Sequence, residues 1–214
     1  MFDIKVTRRN FVLGSLVAGS LPLGSWAAAK GQAQPGSRRP PARLHKLLVD
    51  RNIPESVRLG AYSSAVADEV FVFDGDLTQL WNDELRSQWK TGPRPIAGLT
   101  APSVRLVLEQ LGRDHDARVV FSAEHRKVAD GTRHSLAGSD SLLTSPEFRG
   151  SADWVADMAK YVQACPHEPP SRKTMLEYET GERPGEPGNQ QRLVTWVLAP
   201  IFRLDGPLNT KTMI

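Results

Sequence analysis

The chain has 214 residues, 40% of them hydrophobic, which is enough for one domain with a proper core. Its formal net charge is +3, but Lys5, Arg8, Arg9 and Asp3 all lie before residue 30, so the remainder carries only +1 and lacks the basic footprint of a nucleic-acid binder. A single cysteine, Cys165, excludes an intramolecular disulfide, and no Cys/His cluster has zinc-like spacing.

At the N-terminus, Thr7-Arg8-Arg9-Asn10-Phe11-Val12-Leu13 leads into an apolar run, Val12 to Trp26, broken by Gly14, Gly19, Pro22 and Gly24. Ala27-Ala28-Ala29 puts small residues at both recognition positions of a signal-peptidase site. A spanning helix needs about 20 apolar residues, and this run is too short and glycine-rich for one. The stretch resembles a twin-arginine (Tat) leader, with Thr7, Arg8, Arg9 and Phe11 on the pattern and Leu13 one position off. That resemblance implies export to the periplasm through the Tat translocase, in a folded state, with residues 1–29 removed and no membrane span remaining. Residues 30–42 are polar and rich in proline and glycine, and read as a disordered tether. A single domain is expected over 43–214.

Leu47-Leu48-Val49 reads as a short strand ending at Asp50. Pro54 then opens a helix to about Val66. Val70-Phe71-Val72-Phe73 reads as a central strand buried on both faces. Behind it, Leu77, Leu80, Trp81, Leu85 and Trp89 share one helical face, with Asp76 as N-cap and Gln79 three residues later. The two tryptophans read as core. Thr91-Gly92-Pro93 stops this helix. Residues 96–103 read as a glycine-containing lead into a further helix, whose buried face is Val104, Val107, Leu108 and Leu111. Arg118 to Ser122 is the next strand, and Ala152 to Ala164 the next helix, with Cys165 on its apolar face. Two polar stretches, about 127–151 and 166–190, read as long loops, the first a surface excursion, a lid or a hairpin. Leu193 to Leu198 supplies the last strand. Strands alternating with helices point to an α/β fold: a three-layer open sheet, mainly parallel, with helices on both faces.

In such a sheet the strand ends share one rim, where α/β proteins keep their sites. Asp50, Asp74, Asp76, Thr78, Ser122, Glu124 and His125 are expected there, with His134 near by. Carboxylates and an imidazole in one crevice can bind a ligand or divalent metal, or share acid–base work. Each also has a plain explanation: Asp76 caps a helix, Asp74 sits in a turn, Asp50 pairs with Arg51, and Glu124 and His125 are solvated beyond their strand.

Asp74-Gly75-Asp76-Leu77-Thr78 after an apolar strand resembles the first motif of the haloacid dehalogenase-like phosphohydrolases. The resemblance implies Asp74 as nucleophile, Asp76 as general acid/base, a magnesium ion between them, and Ser122 as the second-motif hydroxyl. The later acidic pair of that family has no counterpart, since the last strand runs out at Ala199-Pro200. Outside this alternative no cofactor is implied. Gly75, Asp76, Thr78 and Trp81 also resemble a strand–Gly-Asp-x-Thr-x-x-Trp–helix segment of exported proteins with twin-arginine leaders, which implies no activity. The leading expectation is a periplasmic accessory or binding protein that travels with or serves an exported oxidoreductase. A solute-binding protein, with 166–190 closing over its ligand, is the other alternative.

Overall fold

The computed structural model describes residues 43–145, 148, 151, 153–166, 173–181 and 192–201; the expected leader and tether lie outside them. Seven strands are formed: β1 (Leu44–Asp50), β2 (Ala67–Phe73), β3 (Ile96–Thr100), β4 (Ala117–Val128), β5 (Gly131–Ser139), β6 (Lys173–Gly181) and β7 (Leu193–Pro200). Five α-helices accompany them: α1 (Pro54–Ser63), α2 (Arg86–Thr91), α3 (Pro102–Arg113), α4 (Asp140–Leu143) and α5 (Trp154–Ala164). All seven strands join one sheet in the order β2-β1-β3-β7-β4-β5-β6. Among the described residues no helix is long and apolar enough to cross a membrane.

The sheet is not mainly parallel. Only β1–β2 and β1–β3 are parallel, while the four pairings from β3 through β7, β4 and β5 to β6 are antiparallel. The first third of the chain does follow the alternation of strand and helix. From β1 the chain moves outward to β2 through α1, then back past β1 to β3 through α2. Right-handed crossovers in opposite directions require helices on opposite faces. Accordingly α1 joins the core of Leu47, Val49 and Leu99, and α2 the core of Leu48, Ile96 and Trp196. The remainder departs from the expectation because two loops contain strands. Residues 127–151 hold the end of β4, all of β5 and α4, and residues 166–190 hold β6. β3 forms where the sequence predicts only a lead into a helix. β7 returns from the end of the chain to the middle of the sheet, buried along its whole length. An apolar run of that kind looks the same whichever way it points.

β2 is the second correction. It is an edge strand, with Val70 38% and Val72 51% exposed. Phe71 and Phe73 turn toward the α2 face, where they meet the core. Val70 and Val72 pair with Leu47 and Val49 and so share the α1 face, beyond the cover of that helix.

The helix after β2 begins at Thr78 and passes through a π-helical turn, Leu80–Leu85, before α2. The Arg86 N–H donates to the Trp81 carbonyl five residues back. That wider turn brings Leu80 and Leu85, five apart, onto one buried face, where a regular α-helix would separate them. Trp89 is core as expected, and Trp81 packs partly buried against it. Cys165 is likewise buried.

β4 carries a bulge at Val120, where Val119 pairs with Leu198 but Phe121 pairs with Val197. Before it, Ala117 and Val119 face the α3 side; after it, Phe121 and Ala123 face α5. One extra residue thus lets a strand with unbroken odd–even spacing serve both cores. The β4–β5 turn is closed by Gly131, paired with Val128. A Cβ at Gly131 would stand 1.9 Å from the Thr180 carbonyl oxygen. Gly131→Ala is therefore expected to cost about 2 kcal/mol in chemical denaturation through overpacking against backbone that cannot yield. Gly181→Ala, whose Cβ would meet only the Asp130 carbonyl at 4.0 Å, serves as the mild comparison.

Candidate functional site

The reversal of connection between β1 and β3 creates a switch point at their carboxyl ends, where open α/β sheets bind ligands. Asp50 closes β1 there, and it is buried. Its carboxylate Oδ1 accepts the Asn52 N–H at 3.0 Å, and its own N–H donates to Ser56 Oγ at 2.9 Å. Asp50 thus shapes the turn into α1, and among the described residues its contacts are these and not an ion pair with Arg51. Thr100 closes β3 beside it, buried, its hydroxyl oxygen accepting the Trp196 indole N–H at 3.0 Å.

Asp74 follows β2, next to β1, and its carbonyl accepts the Asn52 side-chain amide at 3.2 Å. Gly75 adopts φ +94°, a left-handed conformation that glycine takes without strain. Asp76 Oδ1 accepts the Thr78 N–H at 2.8 Å, an Asx turn; the helix's first hydrogen bond runs from the Trp81 N–H to the Leu77 carbonyl, so Leu77 and not Asp76 holds the N-cap position. The Thr78 hydroxyl, and then its N–H, hold the Asp76 carboxyl below the usual carboxylate range. A general acid must carry a proton near neutral pH, and this hydrogen bonding pulls the other way. Asp74, Asp76 and Thr78 are all exposed.

The β4 residues do not join this group. β1, β2 and β4 point the same way, but β3 and β7 lie between β1 and β4. At about 4.8 Å per strand, β1 and β4 stand roughly 14 Å apart and β2 and β4 roughly 19 Å apart. Ser122, Glu124 and His125 also lie within β4, not at its end. Ser122 therefore cannot complete a pocket around Asp74. Glu124 faces solvent and pairs with Arg192. His125 points to the opposite face, into the core.

There it meets His134. His125 Nδ1 and His134 Nδ1 are 2.7 Å apart, His125 Nε2 lies 2.8 Å from Thr195 Oγ1, and His134 Nε2 lies 2.9 Å from Thr180 Oγ1. Both rings are buried and pack at a tilt against Trp154 at the start of α5, and His134 also against Tyr178. The chain of hydrogen bonds closes with both imidazoles neutral. One ring donates from Nδ1 and accepts the threonine hydroxyl at Nε2; the other accepts at Nδ1 and donates from Nε2. Protonating both rings would set their two Nδ1–H groups against each other. Burial, and for His125 also the neighbouring ring's charge, push His125 well below its ordinary value, and burial brings His134 down to about 4. The sequence does contain a signal for this pair: Asp130-Gly131 marks a hairpin turn, and that turn sets the register that opposes His125 to His134.

On the other face of β4–β5–β6 no described helix or strand covers the sheet. Ser122, Glu124 and Arg126 line β4, Arg133 and Ser135 line β5, and Met175, Glu177 and Glu179 line β6. Arg133 Nε donates to Glu179 at 2.7 Å, and Ser135 to Glu177 at 3.1 Å. Arg126 stands directly opposite Arg133 and has no acidic partner among the described residues. No group of three or more His, Cys, Asp or Glu suited to a metal ion occurs among the described residues. Comparison with protein-family models, with curated proteins and with solved structures returned no match to this chain.

Proposed function

We propose that the chain is an exported accessory or binding protein that holds a partner on the uncovered face of β4–β5–β6. The observation that carries this reading is the pairing of Arg126 with Arg133. Like charges directly opposite on neighbouring strands destabilise a sheet. Glu179 neutralises Arg133, which leaves the exposed Arg126 guanidinium without an acidic partner among the described residues, while Glu177 on the same face is held only by the Ser135 hydroxyl. Met175, 70% exposed two strands away, adds an adaptable apolar contact to the same face. A face that keeps an unpaired guanidinium and carboxylate toward one end and an exposed methionine toward the other suits a protein surface with a carboxylate placed for Arg126 better than bulk water.

The twin-arginine resemblance of Arg8, Arg9 and Phe11 supports an exported partner, and an oxidoreductase that folds before export is the class this route favours. The test has two arms. Replacing Arg8 and Arg9 together with lysine is expected to hold the chain in the cytoplasm. A photo-crosslinker at Ser135 is expected to capture an exported oxidoreductase from periplasmic extract, and Arg126→Glu to abolish that capture. Export that ignores the arginine pair, or capture that ignores Arg126→Glu, would count against the proposal.

A further inference from the structure

The chain of hydrogen bonds through Thr195, His125, His134 and Thr180 crosses β7, β4, β5 and β6 and ends at the outermost described strand. His134 is wholly buried, but the two β6 side chains on its outer side, Tyr178 and Thr180, are only half-buried. Tyr178 packs against the ring at 4.8 Å between centroids, and Thr180 Oγ1 holds Nε2. Both belong to the C-terminal end of β6, Tyr178 to Gly181, which pairs with His134 back to Gly131. Strand ends open at far lower cost than the whole fold.

A proton on His134 finds no counter-charge. Each of the four ring nitrogens faces the other ring or a hydroxyl, and none a carboxylate. By alternation, Lys127 of β4 and Thr132 of β5 share this face toward the turn, and Lys127 adds a like charge. From β7 comes Thr195, and from β6 Tyr178 and Thr180. α5 contributes Trp154 and the buried Asp157, whose carboxylate is taken up by Lys160 and the Ser151 N–H. The inner bonds survive a first proton. His134 Nδ1–H donates to His125 Nδ1, and His125 Nε2–H donates to Thr195. What the closed structure lacks is solvation for the charge, and the half-buried Tyr178 and Thr180 stand between His134 Nε2 and water.

We propose that the C-terminal end of β6 is an acid-sensitive latch: as the pH falls below neutral, Tyr178–Gly181 lifts from β5, admits water to His134 Nε2 and leaves the rest of β6 paired. Closed, His134 stays neutral down to about 4 because it is buried; opened, it takes up a proton near pH 6.5. Between those values the open form binds more protons, so opening gains as the pH falls. From pH 7 to pH 5 the open population rises about twentyfold. Glu179 leaves with the latch, so Arg133 joins Arg126 without an acidic partner among the described residues. That consequence for partner binding rests on the partner reading, whereas the latch does not.

Hydrogen exchange of the full chain alone, without any partner, tests the latch at pH 7, 6 and 5. After correction for the chemistry's own pH dependence, the protected amides of Tyr178–Gly181 and Gly131–His134 should exchange about twentyfold faster at pH 5 than at pH 7. The other end of β6, Lys173–Met175, tied to α4 through Thr174 and Asp140, should change severalfold less. His134→Gln should remove the difference between the two ends. His125→Gln, which leaves the outer ring to titrate, should keep it. Equal change at both ends of β6 in the unaltered chain overturns the proposal, since opening would then be global. So does a Tyr178–Gly181 end that ignores pH, or a difference that persists in His134→Gln. The comparison within the unaltered chain decides even if the variants fail to fold.

Discussion

Stability falls by about 3 kcal/mol between pH 6.5 and pH 4, through His134 alone. In the unfolded chain a histidine takes up a proton near pH 6.5. In the folded chain His134 stays neutral down to about 4, because it is buried. Within that window the unfolded state binds more protons, so the stability is fully present above pH 6.5 and is lost as the pH falls toward 4. His125 moves the same way, and with Nδ1 shared at 2.7 Å the two rings titrate as one pair. Denaturant titrations at pH 7.5, 6.5, 5.5 and 4.5 measure the slope. The upper part of the range is diagnostic, since carboxylates have yet to protonate there. A variant carrying both His125→Gln and His134→Gln keeps amide groups at the two positions but removes their titration, and its slope from 7.5 to 5.5 should shrink to the part that His45 contributes, since burial and Arg94 also hold that ring below its ordinary value. An unchanged slope in that variant would show that the pair does not control acid stability.

The second large effect concerns Lys46. It is 2% exposed on β1, with its ammonium held by Glu69 of β2 and, at 2.7 Å, by Glu84 of the π-helical turn. The carboxylates are 48% and 38% exposed, so the charge is buried at one end and hydrated at the other. Burial by itself pulls the Lys46 ammonium down, but the hydrogen bonds to Glu69 and Glu84 outweigh it and the net shift is upward. Removing both carboxylates as Glu69→Gln and Glu84→Gln strands a buried ammonium, at a cost of about 3–5 kcal/mol. Lys46→Met takes away the charge, keeps the length, and leaves two glutamates that water can solvate, so it should stay within about 1 kcal/mol of wild type. Urea denaturation at pH 7 compares the two. Equal losses would mean that the lysine stem, and not its charge, holds the π-helical turn to the sheet.

These two networks lie on opposite faces of the sheet, and neither was legible as a unit in the sequence. Lys46 sits among leucines and valine, where alternation suggests only an interrupted strand. Glu69 and Glu84 lie 23 and 38 residues further on. Their meeting depends on β2 being the neighbour of β1 and on the π-helical turn lying over both. His125 was expected at a strand end among acids. The extension of β4 to Val128 carries it inside the sheet instead, and the bulge at Val120 sets it on the α5 face. Ser122 and Glu124 lost their expected company for the same reason. Asp50, Asp74 and Asp76 were correctly expected at neighbouring strand ends, because β1, α1 and β2 are consecutive and local connection rules suffice. What they do there is shape turns.

The sequence alone determined the elements whose apolar residues repeat within one turn or one pleat: α1, α3, α5, the stripe from Leu80 to Trp89, and the apolar runs of β1, β2, β4 and β7. It also determined the buried place of Cys165, which follows from its immediate neighbours. Only the tertiary structure decided strand order and direction: that β2 is an edge, that β7 enters between β3 and β4, and that two apparent loops hold β5 and β6. Periodicity is a property of adjacent residues, whereas pairing joins β3 to β7 across more than ninety residues, so the free energy that fixes it is absent from any short window.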